Sequence, residues 1–121
     1  MGYTRQQLGM WGEGIAAAYL EDKGLQIIDR NVRTGYGEID LIARISGVTV
    51  FVEVKTRSGL SFGLPEESVT ESKALRLQEA SEAFMQSHPQ LEGDWRIDVI
   101  AILGDPDDLY PEIVWFENAI A

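Results

Sequence analysis

The chain has 121 residues, 45% of them hydrophobic, and a formal net charge of −10 at pH 7. This length supports one hydrophobic core, so we expect residues 1–121 to form a single domain. No run approaches the roughly 18 apolar residues that cross a bilayer, and the first residues lack the basic-then-apolar order of a signal peptide, so we expect a cytoplasmic protein with no membrane partner.

The composition also limits the kind of metal site. With no cysteine and a single histidine, His88, the chain has no disulfide framework and no thiolate ligands, and it is poorly suited to zinc. Oxygen ligands remain, and these favour Mg²⁺ or Mn²⁺.

The negative charge is concentrated near one end of the chain. Residues 92–121 contain eight acids and one base, so the preceding part is much closer to neutral. Seven basic residues lie on or near the central hairpin and the helix after it: Arg30, Arg33, Arg44, Lys55, Arg57, Lys73 and Arg76. They either form a basic rim around the acids of the hairpin or are scattered surface charge.

The first predicted element is a helix over residues 5–22. Thr4 and Gln7 have the form of a capping box, apolar residues follow at helical spacing, and Gly24 ends the run. Glu13 falls on a flank of the apolar stripe. It is either an ordinary solvated glutamate or a carboxylate that leans toward a neighbouring layer.

A strand over residues 25–32 precedes a hairpin of residues 38–44 and 49–55 around a Ser46-Gly47 turn. With Ile45 facing Val48, Asp40 lies opposite Glu53, and Glu38 lies opposite Lys55. One face is then entirely apolar: Ile39, Leu41, Ala43, Ile45, Val48, Val50, Val52 and Val54.

The other face of the hairpin brings two carboxylates together. Like charges on facing strands destabilise a sheet, so Asp40 and Glu53 call for a neutralising cation, and a divalent metal ion fits best. In the alternative, Glu38 and Lys55 form a surface ion pair while both acids point into water. Ile42 and Phe51 share that face and favour a covered site.

The rest of the chain predicts a flexible loop over residues 58–65, able to close over a ligand, then a helix from about 70 to 87. Lys73 lies on the inward stripe of that helix, where it either extends out to solvent or reaches a phosphate. A strand over residues 95–103 runs parallel to its neighbour, with Asp98 paired to Arg96 or to an adjacent strand. An acidic turn and a short strand over residues 112–116 follow.

These positions support phosphodiester hydrolysis. Asp40 and Glu53 would hold Mg²⁺ or Mn²⁺, and Lys55 would orient the attacking water or offset charge on phosphorus. Glu38 would pair with Lys55 or fill the outer shell of the metal. The further candidates for contact with nucleic acid are Arg33, Arg57 and Lys73.

Several segments resemble the bacterial YraN-like family, and together they cover nearly the whole chain: residues 9–20, 30–33, 37–43, 50–57, 72–73, 76–77 and 96–102. That family is similar to archaeal Holliday-junction resolvases in the restriction-endonuclease-like superfamily, named for its PD-(D/E)xK signature. The resemblance implies an α/β fold of three layers, with a mixed central sheet and an antiparallel hairpin flanked by helices. It also implies a metal-dependent nuclease site.

By this resemblance, Asp40 matches the first acid of the signature, Glu53 the second, and Lys55 the lysine. Glu13 matches a metal-binding carboxylate on the first helix, and Ile39 stands where the signature has proline. Resolvase-like relatives also imply a homodimer.

The leading hypothesis is a Mg²⁺- or Mn²⁺-dependent DNA endonuclease acting on branched or single-stranded DNA in recombination or repair. A non-catalytic adaptor that binds nucleic acid or a protein partner is the alternative. An RNA nuclease stays open, because the chemistry of the backbone does not identify the sugar.

Overall fold

A computed structural model describes residues 2–57 and 69–120. The loop predicted over residues 58–65 lies outside the described residues. The elements in chain order are α1 (Arg5–Asp22), β1 (Gln26–Thr34), β2 (Gly37–Ile45), β3 (Val48–Arg57), α2 (Glu71–Ser87), β4 (Trp95–Leu103) and β5 (Glu112–Ile120).

The strands form one mixed sheet in the order β1-β2-β3-β4-β5, with β3 and β4 parallel and the other neighbours antiparallel. The helix α1 buries Ala16 and Leu20 against one face of the sheet. On the opposite face, α2 buries Leu77 and Phe84. The predicted three-layer α/β arrangement, with an antiparallel hairpin flanked by helices, is confirmed.

The register of the central hairpin follows the prediction. Ile45 pairs with Val48, and regular pairing continues to Leu41 and Val52. The turn residues Ser46 and Gly47 both have positive φ, 48° and 79°, as a two-residue turn of type I′ requires.

Beyond Leu41 the hairpin departs from its predicted pattern. The backbone amide of Val54 donates to Oδ2 of Asp40 at 2.8 Å, so a side chain takes an amide from the neighbouring strand. Ile39 packs in the cluster beneath α2, not with Leu41 beneath α1. Its predicted place on the α1 side is therefore wrong, because the alternation of β2 changes at Asp40.

Both helices begin as predicted. Thr4 and Gln7 form a complete capping box at α1. At α2 the Thr70 hydroxyl accepts from the Lys73 amide at 3.2 Å. Neither helix of the described residues is long and apolar enough to cross a membrane.

The last strand is longer than the predicted 112–116, because its pairing resumes beyond an irregularity opposite Asp98. That carboxylate is fully buried. It accepts from Arg96 Nε at 3.0 Å, Trp115 Nε1 at 2.9 Å and the Asn118 amide at 2.8 Å. The prediction that Asp98 pairs with Arg96 or with an adjacent strand is confirmed, and both contacts are made.

Replacing Asp98 with alanine should lower the free energy of unfolding by about 3 kcal/mol, because a partly buried arginine, an indole and an amide would lose this buried acceptor. Urea denaturation measures the loss. The matched control is Glu117→Ala, which removes an acid from the same arginine at a site whose side chain is 60% exposed. A similar loss in both variants would contradict a special role for the buried carboxylate.

Candidate active site

Asp40 and Glu53 come together where the regular β2–β3 pairing ends. Glu53 is buried, 7% exposed, and Asp40 is held by the Val54 amide. Both residues line a cavity of about 480 Å³ beside α1, together with Glu13, Lys55 and Arg57. The structure therefore brings the three predicted metal ligands and the predicted catalytic lysine to one cavity.

Two lysines share the Glu53 carboxylate. Lys55 Nζ lies 3.3 Å from Oε1 of Glu53, and Lys73 Nζ of α2 lies 2.9 Å from the same atom. Lys73 thus reaches into the site and does not extend away from it. Both lysine contacts therefore fall on the same oxygen of Glu53.

The helix α1 reaches the site through a close approach at Gly12. A methyl group at this position would overlap the Thr56 hydroxyl on β3. One residue later, Glu13 lines the cavity, and Asn31 of β1 acts to lower the pKa of its carboxyl group. The absence of a side chain at Gly12 therefore sets the distance between Glu13 and the strands.

Gly12→Ala should push α1 away from β3 and lower the free energy of unfolding by about 1–3 kcal/mol, as overpacking does. Gly14→Ala is the matched control on the same helix, since a methyl group there meets nothing within 4 Å. It should be neutral or slightly stabilising, because alanine favours helix more than glycine. Equal responses of the two variants to urea denaturation would show that the contact with Thr56 has no effect.

Burial dominates the electrostatics of the acids. Desolvation and the charge of Glu53 raise the pKa of Asp40 to about 7, although the Val54 hydrogen bond acts in the other direction. Desolvation also raises the pKa of Glu13, against the hydrogen bond from Asn31. Without a counter-ion, Asp40 therefore carries only part of its charge at neutral pH.

The lysines shift in opposite directions. Desolvation and the contact with Lys73 lower the pKa of Lys55. Burial acts in the same direction on Lys73, but its contacts with Lys55 and Glu53 outweigh that effect and raise its pKa overall. Lys55 is thus the residue better able to give up a proton, and Lys73 the one that stays cationic.

The acids are of the right chemical type to bind a hard cation, but their side chains are not arranged around a common point. Within residues 2–57 and 69–120, no three acidic or histidine side chains converge closely enough to hold a metal ion. Asp40, Glu53 and Glu13 nonetheless supply carboxylate oxygens, the ligands that Mg²⁺ and Mn²⁺ prefer. The raised pKa of Asp40 marks negative charge that lacks compensation.

The remaining predicted residues lie around this centre. Glu38 contacts Arg33 across β1 and β2, with 3.8 Å between its Oε2 and Arg33 Nε, so the predicted pairing of Glu38 with Lys55 is wrong. Glu38 lies beyond the end of the regular β2–β3 pairing, and its cationic partner comes from β1. Arg33 itself has an 89% exposed side chain, whereas Arg57 lines the cavity.

Two residues of the site were missed in the sequence. Asn31, inside β1 with a positive φ of 51°, acts to lower the pKa of Glu13, and Arg5 lines the cavity from the first turn of α1. The asparagine inside the predicted first strand could have indicated an irregular position, because asparagine is rare in strands and tolerates a positive φ. Arg5 gave no comparable signal.

Fold and site together define a class of protein: a three-layer α/β domain that gathers carboxylates and two lysines at the open end of a central hairpin. Residues 12–102 match the family described as "Uncharacterised protein family UPF0102". The chain belongs to that family, which confirms the predicted YraN-like resemblance.

Two relatives show the extent of the similarity. A UPF0102 protein of Syntrophotalea carbinolica is 44% identical over 102 residues, covering 84% of this chain and 83% of the relative. A UPF0102 protein of Clavibacter michiganensis is 48% identical over 101 residues, covering 83% of this chain and 86% of the relative. The similarity therefore spans most of both chains.

Proposed function

We propose that this protein is a metal-dependent nuclease of the restriction-endonuclease-like superfamily that hydrolyses phosphodiester bonds in DNA, in recombination or repair. One observation carries the proposal. Asp40, Glu53 and Lys55 line one cavity, Lys73 contacts the same carboxylate oxygen of Glu53 as Lys55 does, and the pKa values of the two lysines are displaced in opposite directions. Displaced pKa values among charged groups in a cavity are typical of functional sites.

Each residue has a role in the proposed hydrolysis. Asp40 and Glu53, with Glu13 from α1, would hold Mg²⁺ or Mn²⁺, and the two lysines contact Oε1 of Glu53. The bound ion would act as a Lewis acid on the phosphate and lower the pKa of the attacking water. Lys55 would orient that water and accept its proton, while Lys73 would offset charge on the phosphate.

The distribution of charge is compatible with a polyanionic substrate despite the net charge of −10. Arg5 and Arg57 line the cavity beside α1, and Lys73 and Arg76 line a second cavity beside α2 that also contains Asp40 and Glu53. Cations thus flank the acid pair on both sides, where a nucleic-acid backbone would pass.

A non-catalytic adaptor remains the second candidate, because Glu53 is already neutralised by lysine contacts. Such a protein would fold without metal and bind nucleic acid or a protein partner through the same surface. Divalent ions would then change neither its stability nor its binding.

The deciding experiment is cleavage of single-stranded, duplex, flapped and four-way DNA in Mn²⁺, beside RNA of matching sequence. The parent protein is compared with Asp40→Asn and Lys55→Ala. Cleavage that both substitutions abolish would support the nuclease, and the RNA lanes would identify the sugar. Binding without cleavage, unchanged in both variants, would favour the adaptor.

A further inference from the structure

An exposed tyrosine stands next to the acid pair. Tyr36 lies in the turn between β1 and β2, and it is 50% exposed. The turn is braced by the Thr34 hydroxyl, which donates to the Gly37 carbonyl at 2.8 Å and accepts from the Tyr36 amide at 3.1 Å. The backbone of Tyr36 is therefore fixed, and half of the surface of this residue is open to solvent.

Tyr36 shares a cavity with the proposed catalytic residues. This space of about 270 Å³ beside α2 is also lined by Asp40, Glu53, Lys73 and Arg76. It is smaller than the usual site for a drug-sized ligand, roughly 300 Å³ and upward. A single nucleobase with its phosphate suits this scale better than a double helix.

The charges around Tyr36 differ on its two sides. Toward the acid pair, Lys73 and Arg76 offer cations to a phosphate beside the carboxylates of Glu38, Asp40 and Glu53. A second cleft that Tyr36 borders is lined instead by Glu79 and Glu82 of α2, which repel one. The backbone of a bound strand is thus directed to the side that holds Asp40 and Glu53.

We propose that Tyr36 is a stacking platform for an unpaired nucleobase, and that it selects single-stranded or splayed nucleic acid at this site. Stacking on a protein ring requires an open base face, which paired bases inside a duplex do not offer. Lys73 and Arg76 would bind the neighbouring phosphate and bring the next bond toward the acids. This inference rests on the proposed function, because it names the substrate class of that site.

The test is fluorescence anisotropy with a labelled single-stranded oligonucleotide and a matching duplex, in EDTA to prevent cleavage and at low salt. Tyr36→Leu should weaken binding of the single strand about tenfold, because leucine offers no ring on which a base can stack. Tyr36→Phe should keep most of the affinity. Tyr110→Leu, at a tyrosine that is 93% exposed on the β4–β5 connection, is the matched control and should bind like the parent.

An abasic series gives a second readout. Removing one base from the oligonucleotide, at each position in turn, should weaken binding by the parent at one position. In Tyr36→Leu, removal of the base at that position should weaken binding no further, because the ring on which the base stacks is already absent. Thermal unfolding of the variants, with Tyr36 already half exposed, should match the parent.

The outcomes separate this inference from the nuclease proposal. Equal affinity of the parent and Tyr36→Leu for the single strand would overturn the stacking role, even in a protein that cleaves DNA. Tyr36-dependent binding in a protein that cleaves nothing would support the stacking role and reject the nuclease. A parent that binds no nucleic acid in either EDTA or Mn²⁺ would reject both.

Discussion

Asp40→Asn should stabilise the metal-free protein at pH 8 by about 2 kcal/mol. The pKa of Asp40 is about 7 in the folded protein, against an ordinary 3.8, so folding disfavours its charged form. At about 1.4 kcal/mol per pKa unit the gain would reach about 4 kcal/mol, and partial contact with solvent reduces it. Asparagine keeps an oxygen that can accept the Val54 hydrogen bond.

The sign of the pH dependence follows from proton uptake. Between about pH 4 and 7 the folded protein binds a proton at Asp40 that the unfolded chain has released, so this residue makes stability fall as pH rises through that range. The advantage of Asp40→Asn should therefore be small at pH 4 and full above pH 7. Urea denaturation at both pH values measures it, with Glu38→Gln, on the same strand and 40% exposed, as the control.

Divalent ions should reverse the order of stability. At a concentration a hundred times its dissociation constant, Mn²⁺ would stabilise the parent by about 2.7 kcal/mol. Asp40→Asn should gain little of this, and its cleavage should fall by more than about a thousandfold, since the charge stabilisation supplied by the metal is lost. If Asp40→Asn is instead destabilised equally at both pH values and responds to Mn²⁺ like the parent, Asp40 has only a structural role.

The regular part of the hairpin was predictable because its pattern is local. Alternating apolar residues and a two-residue turn fix the pairing of Ile45 with Val48 through Leu41 with Val52. The change at Asp40 was not predictable, since a side chain that accepts from Val54 has no signature in an alternation pattern. The predicted register therefore brought Asp40 and Glu53 together, although the regular pairing ends at Leu41 and Val52, one residue before them.

Contacts between distant parts of the chain were the other limit. Lys73 was placed on the inward face of α2, but its contact with Glu53 depends on how that helix packs across the sheet. Glu13 likewise became a site residue through the close approach of Gly12 to Thr56. The sequence supplied the chemical groups, and packing determined which of them meet.

Lys55→Met should lower cleavage about a thousandfold while leaving fold and nucleic-acid binding largely intact. Methionine preserves most of the volume of a side chain that is 11% exposed, but it can neither orient the attacking water nor accept its proton. The loss lies within the usual range for removing a general base. Single-turnover cleavage measures it, and Lys23→Met, at an exposed lysine of the α1 C-cap, controls for the lost positive charge.

Lys73→Met should act differently, through the pH profile. Lys73 lowers the pKa of Lys55 by direct contact and by its charge, so its removal should raise that pKa and move the rising limb of the rate to higher pH. Lys73→Arg keeps the cation and should keep the limb closer to its place. If Lys55→Met and Lys73→Met instead cause equal losses with no displacement of the profile, the two lysines serve only as combined positive charge, and no proton passes through Lys55.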